Sequence, residues 1–535
     1  MATGHLALIL HAHLPYVRHP GHVDFLEEDW LHEAITETYL PLLDIFDQLI
    51  KEGIRFRITM SVTATLGAML RDPLLQERYV RYIGQRIELA RLEVQRTQQD
   101  PVAHEVAMHY LERFERVLRL YEERWHRDLV AAFNHFRKLG CLELIACAAT
   151  HGFLPMMEQF HDAVRAQILI GRDAFMEMFG VEPAGMWVPE CAFCPGVERA
   201  LQEANIRWFV IDAHGLMFGQ PRPRFAIYAP CYTPSGPAAF ARDRDSSRQI
   251  WSAEEGYPGD PAYRDFYRDI GMELPIDSLA PVVMDGAHRR FTGIKYCRIT
   301  GRTDHKEVYR RHWAMGAADA NASDFVRARQ AQFEKLYPAM TLDPIVVSPF
   351  DAELFGHWWY EGPEFLNLVL RKIACDSPGF QLTTPGEYLA HHQTLQIVSP
   401  CASSWGHKGY WEVWLDEVNA WIYPHLHMAA RRMMEMARRF VDSATPDEER
   451  CLRQMTRELL LAQSSDWAFL MKTGTAREYA TQRTKEHIIR FSRLYGQLAT
   501  NQIDEPFLTA CEKLNPLFSM PEWRYYAGVI PTTNS

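Results

Sequence analysis

The chain has 535 residues, 47% of them hydrophobic and 23% charged, with a formal net charge of -11. Such a length exceeds one ordinary domain, and the apolar content supports a large packed core, which excludes an extended disordered chain. The negative balance argues against a nucleic-acid surface, and the apolar stretch at the start is too short to span a membrane. That start has no basic leader region and no small-residue cleavage site, so a cytoplasmic location is expected. The ten cysteines are scattered through apolar runs, as reduced thiols would be. Cys191 and Cys194 form a lone C-x-x-C without a second pair at zinc-ribbon spacing, a weak metal motif.

In chain order, residues 5–13 form an apolar run ending in His. Residues 33–51 show helical periodicity, and 55–66 read as a second strand. Residues 70–139 are long, charged and helical, with Arg and Glu at three- and four-residue spacings, and look like an insertion between strands. Further strands are expected near 142–150, 185–190, 207–213, 227–233, 291–299 and 344–350. Helices fit between several of them, at 162–179, 196–204 and 304–336. This alternation implies parallel strands with crossover helices, and the number of repeats fits an α/β barrel or an incomplete one. Residues 234–290 are rich in Gly, Pro, Asp, Arg and Tyr and read as a long ordered loop over the active face. From about 396 the strands stop, and 414–442, 446–472 and 476–499 read as helices. The Met and Arg stripe at 428–439 reads as a packed helix face. The expected division is a catalytic part, 1–395, and a helical part, 396–535.

Catalytic groups of α/β barrels gather at the C-terminal ends of the strands. His11 and His13 end the first strand here, and His151 follows the third. Glu190 closes Gly-Met-Trp-Val-Pro-Glu (185–190), Asp212 and His214 follow the next strand, and Asp351 ends the last. Core packing does not explain polar residues recurring at one position on five strands, because buried charge is costly without partners. Plainer readings stand beside this one. A strand-end His is often structural, Glu190 could serve a helix N-terminus, Glu353 could be the working carboxylate, and Asp212 could only orient a neighbour. Two constellations compete. One is a carboxylate pair for glycosidic bonds, about 5–5.5 Å apart in a retaining enzyme. The other is a metal site built on His-x-His with later His and Asp residues. Trp187, Trp358, Trp359, Tyr360, Trp405, Trp411 and Trp414 cluster around these motifs and favour the first, since aromatic faces stack on pyranose rings.

His-Ala-His-Leu-Pro-Tyr (11–16), Thr150-His151-Gly152, Trp-Val-Pro-Glu-Cys-Ala-Phe (187–193), Ser-Pro-Phe-Asp-Ala-Glu-Leu-Phe-Gly-His-Trp-Trp (348–359) and the aromatic segment 405–416 together resemble glycoside hydrolase family 57. The length, the helical C-terminal part and the segments 403–411 and 463–469 look like its 1,4-α-glucan branching enzymes. The resemblance implies a (β/α)7 barrel, an incomplete TIM-like barrel, with a helical insertion and a C-terminal all-helical domain closing the cleft. It implies retaining transglycosylation of α-1,4-glucan to form α-1,6 branches, with α-glucan as donor and acceptor and no metal or cofactor. Glu190 would be the nucleophile and Asp351 the general acid/base. His11, His13 and His151 would line the donor subsite. Trp405, Trp414 and Asp466 would bind glucan from the helical part, and Arg268 and Gly286 would add sugar contacts. A monomer or small homo-oligomer is expected. An α-amylase or a 4-α-glucanotransferase on the same scaffold is the alternative, and a glucan-binding protein that has lost catalysis or a metal-dependent hydrolase is a further one. Branching enzymes of this family are expected to carry a Tyr at the tip of a mobile loop. The matching stretch, 233–243, has Phe240 and no Tyr, while Tyr228 and Tyr232 fall on the preceding strand.

Overall fold

Seven parallel strands wind into a closed ring in the computed structural model, which describes residues 4–252, 255–283, 289–376 and 378–528. The strands are β1 (His5–Ala12), β2 (Ile58–Val62), β3 (Leu142–Cys147), β4 (Gly185–Trp187), β5 (Trp208–Ile211), β6 (Cys231–Tyr232), β7 (Ala238–Ala241), β8 (Ile345–Asp351) and β9 (Gln381–Leu382). Their order in the sheet is β6-β7-β5-β4-β3-β2-β1-β8, with β9 beside the start of β1. Every pairing is parallel except β6 with β7. Arg242, just past β7, bridges Val347 of β8, and the Asp243 N–H donates to the Val347 carbonyl at 2.8 Å. That bond joins the two ends of the sheet and makes a (β/α)7 barrel, whose strands are apolar because both faces are covered.

Period-two alternation decides what the barrel presents at its mouth. Ala7 and Ile9 of β1, Trp208 and Val210 of β5, Ala238 and Phe240 of β7, and Ile345 and Val347 of β8 pack in one interior cluster. Continuing each stripe by two residues brings His11, Asp212 and Arg242 to the C-terminal end of the barrel. The β8 stripe reaches its end at Asp351, which pairs in register with His11. On β2 the stripe is polar from the start, and Ser61 stands in register with His11.

The two long helices between β2 and β3 begin where Asp side chains cap free N–H groups. Asp72 accepts from Leu74 and Leu75 ahead of Pro73–Arg96, and Asp100 accepts from Val102 and Ala103 ahead of Pro101–Arg119. Beyond the barrel lie Ile422–Phe440, Pro446–Ala462, Ser465–Thr473, Arg477–Ala499 and Glu505–Leu514. The helix expected over 446–472 breaks at Ser464, whose backbone is non-helical (φ -52, ψ 128). There Ser464 forms a bridge with Gly152, and the Ser465 N–H donates to the His151 carbonyl at 3.0 Å. The break thus carries the helical part onto the barrel rim.

Three further expectations are corrected. Residues 291–299 are not a strand of the barrel. They form an extended strap tied to Asp269, whose carboxylate accepts from Thr292 N at 3.0 Å, Thr292 Oγ1 at 2.7 Å and Gly293 N at 3.0 Å. The strand expected at 227–233 shrinks to β6, antiparallel to β7 and outside the parallel ring, and the remaining barrel strand is β7, inside the stretch read as a loop. Phe240 is therefore no loop tip. It is fully buried, with its ring edge-on to Trp208 at 5.7 Å and Tyr388 at 6.3 Å. The alanine-rich run Ala238–Ala241 lacks the β-branched residues that mark strands, and the flanking Gly236 and Pro237 read as loop.

Candidate active site

Glu190 lies one residue into the turn Pro189–Cys191 that follows β4. Its backbone is left-handed (φ 62, ψ 23), as are those of Cys191 (φ 48) and His151 (φ 56). Such conformations cost about 1 kcal/mol or more for a residue with a Cβ and cluster where structure holds a side chain for chemistry. The turn aims the carboxylate at the mouth of the barrel. Trp405 Nε1 donates to Glu190 Oε2 at 2.7 Å, and Ser465 Oγ donates to Oε1 at 3.1 Å. The Trp405 N–H also donates to the Glu190 carbonyl at 3.0 Å. Burial pushes the Glu190 carboxyl up to about 7, against the pull of the Trp405 hydrogen bond.

Asp351 ends β8 in a different setting. Burial raises its carboxyl well above the usual range, and the neighbouring carboxylates of Glu353, Glu190 and Asp466 push the same way. Among the described residues no donor reaches its side chain. Glu353 is held more firmly, accepting from the His13 N–H at 3.1 Å and from the Tyr39 hydroxyl. Burial still raises it to about 7.

The three histidines form a stacked set. His11 Nδ1 bonds Ser61 Oγ at 2.9 Å, and its Nε2 lies 3.0 Å from His151 Nε2. His151 Nδ1 bonds Ser465 Oγ at 2.8 Å. His13 bonds Thr63 through Nδ1 and both Asp466 oxygens through Nε2, each at 3.0 Å. The rings of His13 and His151 stack at 4.0 Å, and His11 stacks on Trp187 at 4.6 Å. Burial drives His11 and His151 well below their ordinary range, so both are neutral near pH 7. Burial also works against a proton on His13, but the Asp466 carboxylate outweighs it and raises His13. Asp466 in turn is held at about 2, its burial penalty outweighed by His13. His13, His151 and Asp466 offer ligand atoms within 4.8 Å of one another, a set that could take a cation. In this structure each is already engaged inside the protein by the bonds above.

The remaining expected site residues divide. Trp405 meets the nucleophile candidate, but Trp414 is buried to 1% exposure and stacks on Phe153 at 4.3 Å, behind the cleft wall. The expected direct sugar contact by Trp414 is therefore corrected: its indole packs in the protein and offers almost no surface to a ligand. Arg268 does not reach the cluster. It pairs with Glu273 and donates to the Asp304 carbonyl at 3.3 Å. Gly286 lies outside the described residues. Asp212 is 1% exposed and binds His214 Nδ1 and Arg242 Nε, each at 2.8 Å. Those partners, chiefly His214, outweigh its burial and hold it at about 2. It orients neighbours and is no proton donor. Sequence reading missed Ser465, Tyr39 and Arg242. Ser465 sat in plain view beside Asp466, whereas Tyr39 and Arg242 carry no local signal because their partners are distant in sequence.

A family model described as glycosyl hydrolase family 57 matches residues 7–286, and one described as the C-terminal part of 1,4-alpha-glucan branching enzyme matches residues 425–526. The chain is 32% identical to the 1,4-alpha-glucan branching enzyme of Thermococcus kodakarensis, over 92% of this chain and 74% of that one. The crystal structure of the alpha-amylase AmyC of Thermotoga maritima superposes with a TM-score of 0.92 at 42% identity, covering 99% of this chain and 100% of that one. The branching enzyme structure of Pyrococcus horikoshii gives 0.87 at 31% identity, covering 98% and 97%. The chain belongs to glycosyl hydrolase family 57.

Proposed function

We propose that the protein is a retaining 1,4-α-glucan branching enzyme with Glu190 as nucleophile and Asp351 as general acid/base. The observation that carries the assignment of roles is the unequal environment of the two carboxyls. Two donors favour the anion at Glu190, whereas anionic neighbours favour the protonated form at Asp351. Glu190 attacks C1 of an α-1,4-linked glucosyl unit, the C1–O4 bond breaks, and the Asp351 proton goes to the departing O4. A glycosyl ester on Glu190 results. Asp351, now ionised, takes the proton of a 6-hydroxyl on an acceptor chain. That oxygen attacks C1, the ester bond breaks, and an α-1,6 bond forms with net retention. The neutral pair His11 and His151 and the His13–Asp466 pair wall the position of the reacting ring.

The similarity to branching enzymes over nearly the whole chain, including the match over 425–526, supports transfer to a 6-hydroxyl. The likeness to a structure described as an alpha-amylase favours a second reading, in which water takes the intermediate more often than a glucan does. Incubation with amylose decides between them. After treatment with a debranching enzyme, the branching reading expects short linear chains that were absent before. A rise in reducing ends with no chains released by debranching supports the amylase.

A further inference from the structure

The Trp405 indole has two neighbourhoods. Its Nε1 edge faces Glu190, and the residue also walls an open pocket of about 460 Å³ between the ends of β5 and β7 and the turn His407–Gly409. His214, Arg242, Arg244, Lys408 and Tyr410 complete most of the lining. That volume is in the range of small-ligand sites. The turn is clamped from the barrel side, since His214 Nε2 lies 2.8 Å from the Gly409 carbonyl and His214 Nδ1 bonds Asp212. Asp212, buried to 1% exposure, also holds Arg242 Nε at 2.8 Å and reaches Arg244 Nη2 at 3.4 Å. One buried carboxylate thus fixes three donors around a cavity. The Arg242 guanidinium lies 6.0 Å from the Trp405 ring centre. Tyr410 presents an aromatic side chain that is 45% exposed and meets His214 edge-on at 5.4 Å.

Flat aromatic surface beside planar, pre-oriented N–H donors suits a pyranose ring, which offers an apolar face and a girdle of hydroxyl oxygens. A structural role alone does not account for the arrangement, because the Arg244 side chain is 63% exposed and Tyr410 45% exposed, so each leaves much of its surface open where it lines the pocket. We propose that this pocket is a glucosyl-binding subsite, separated from Glu190 by the Trp405 indole, that seats α-linked glucose units of a chain engaged at the active site. Tyr410 supplies the stacking surface, and Arg242 and Arg244 bind hydroxyls. Asp212 and His214 act as positioning residues that hold the donors and the turn in place. The proposal rests on the α-glucan reading of the active site and adds residues to it.

The test is direct binding of maltoheptaose by calorimetry in a Glu190→Gln background, where turnover is silenced. Tyr410→Ala and Arg244→Ala should each weaken binding by about five-fold or more, the loss expected for one good contact. Tyr410→Phe, which keeps the ring, should restore most of the affinity. Both positions are solvent-exposed, so unchanged melting temperatures should accompany the loss. Affinity unchanged in both alanine variants would overturn the proposal. So would an equal loss in Tyr410→Phe and Tyr410→Ala, which would remove the stacking role. Failure of the branching assignment reads differently. The parent enzyme would then form no α-1,6 bonds, while the loss of maltoheptaose affinity in the two variants would stand.

Discussion

Glu190 combines a strained backbone, two donors and a buried carboxyl, and each has a measurable consequence. In the proposed mechanism ionised Glu190 is the reactive form, so kcat/KM should rise as pH passes through about 7. In the same mechanism loss of the Asp351 proton sets the falling limb, and the two apparent values belong to the coupled pair. The Trp405 hydrogen bond pulls the Glu190 carboxyl down, so Trp405→Phe should move the acidic limb to higher pH as well as lower the rate. A pH profile with an unmoved limb would contradict that hydrogen bond's role. Asp351→Asn should lower kcat by roughly 10²–10⁴-fold, the range for a lost general acid. The same burial has a cost in stability. A carboxyl whose folded value is raised from 4.5 to about 7 destabilises the fold progressively as pH rises between those values. Glu190→Gln should therefore be more stable than the parent above pH 7, by roughly 1–3 kcal/mol, with the difference shrinking toward pH 4.5. Denaturant melts at the two pH values check the sign.

Elements act here by delivering such side chains to one ring. The helix His161–Phe179 lies so close to the end of β3 that a Cβ on Gly171 would sit 2.1 Å from the Cys147 carbonyl oxygen and 2.8 Å from the Ala149 nitrogen. The same helix holds the segment before His151, since the Ala149 N–H donates to the Gln167 carbonyl at 2.8 Å. Gly171→Ala should cost about 1–3 kcal/mol through overpacking and reduce kcat by displacing His151. A variant with parental stability and rate would show that this contact is soft. Legibility in the sequence follows the same lines. Strands β1, β5 and β8 are apolar runs with polar ends, so they and their terminal His11, Asp212 and Asp351 can be read directly. β7 cannot, because Ala238 and Ala239 pack against bulky neighbours and need no β-branched bulk of their own. The strap at 291–299 misleads in the opposite sense, being extended for reasons of side-chain hydrogen bonding to Asp269. Glu190 was legible from Trp-Val-Pro-Glu, and Trp405 as a glucan-binding aromatic, but the hydrogen bonds of Trp405 and Ser465 to Glu190 were not. Trp405 and Ser465 stand 215 and 275 residues away, and docking of the C-terminal part on the barrel rim brings them to Glu190.

At the scale of the whole molecule, the barrel and the C-terminal helices build one site. His13 and Asp466 are 453 residues apart in sequence and 3.0 Å apart in space, with side chains only 9% and 15% exposed. A double-mutant cycle with His13→Ala and Asp466→Asn should return a coupling of about 1–3 kcal/mol, as expected for a part-buried charged contact. Additive effects would mean that the helical part rests on the barrel without this tie. No helix among the described residues is long and apolar enough to cross a membrane. In the proposed mechanism Glu190 carries the glycosyl group between donor and acceptor. Trapping the intermediate with a slowly turned-over fluorinated glucosyl donor, followed by peptide mass spectrometry, tests it directly. The label is expected on the peptide containing Glu190. A label on Glu353 or Asp351 instead, or an active enzyme that never becomes labelled, would contradict the assignment.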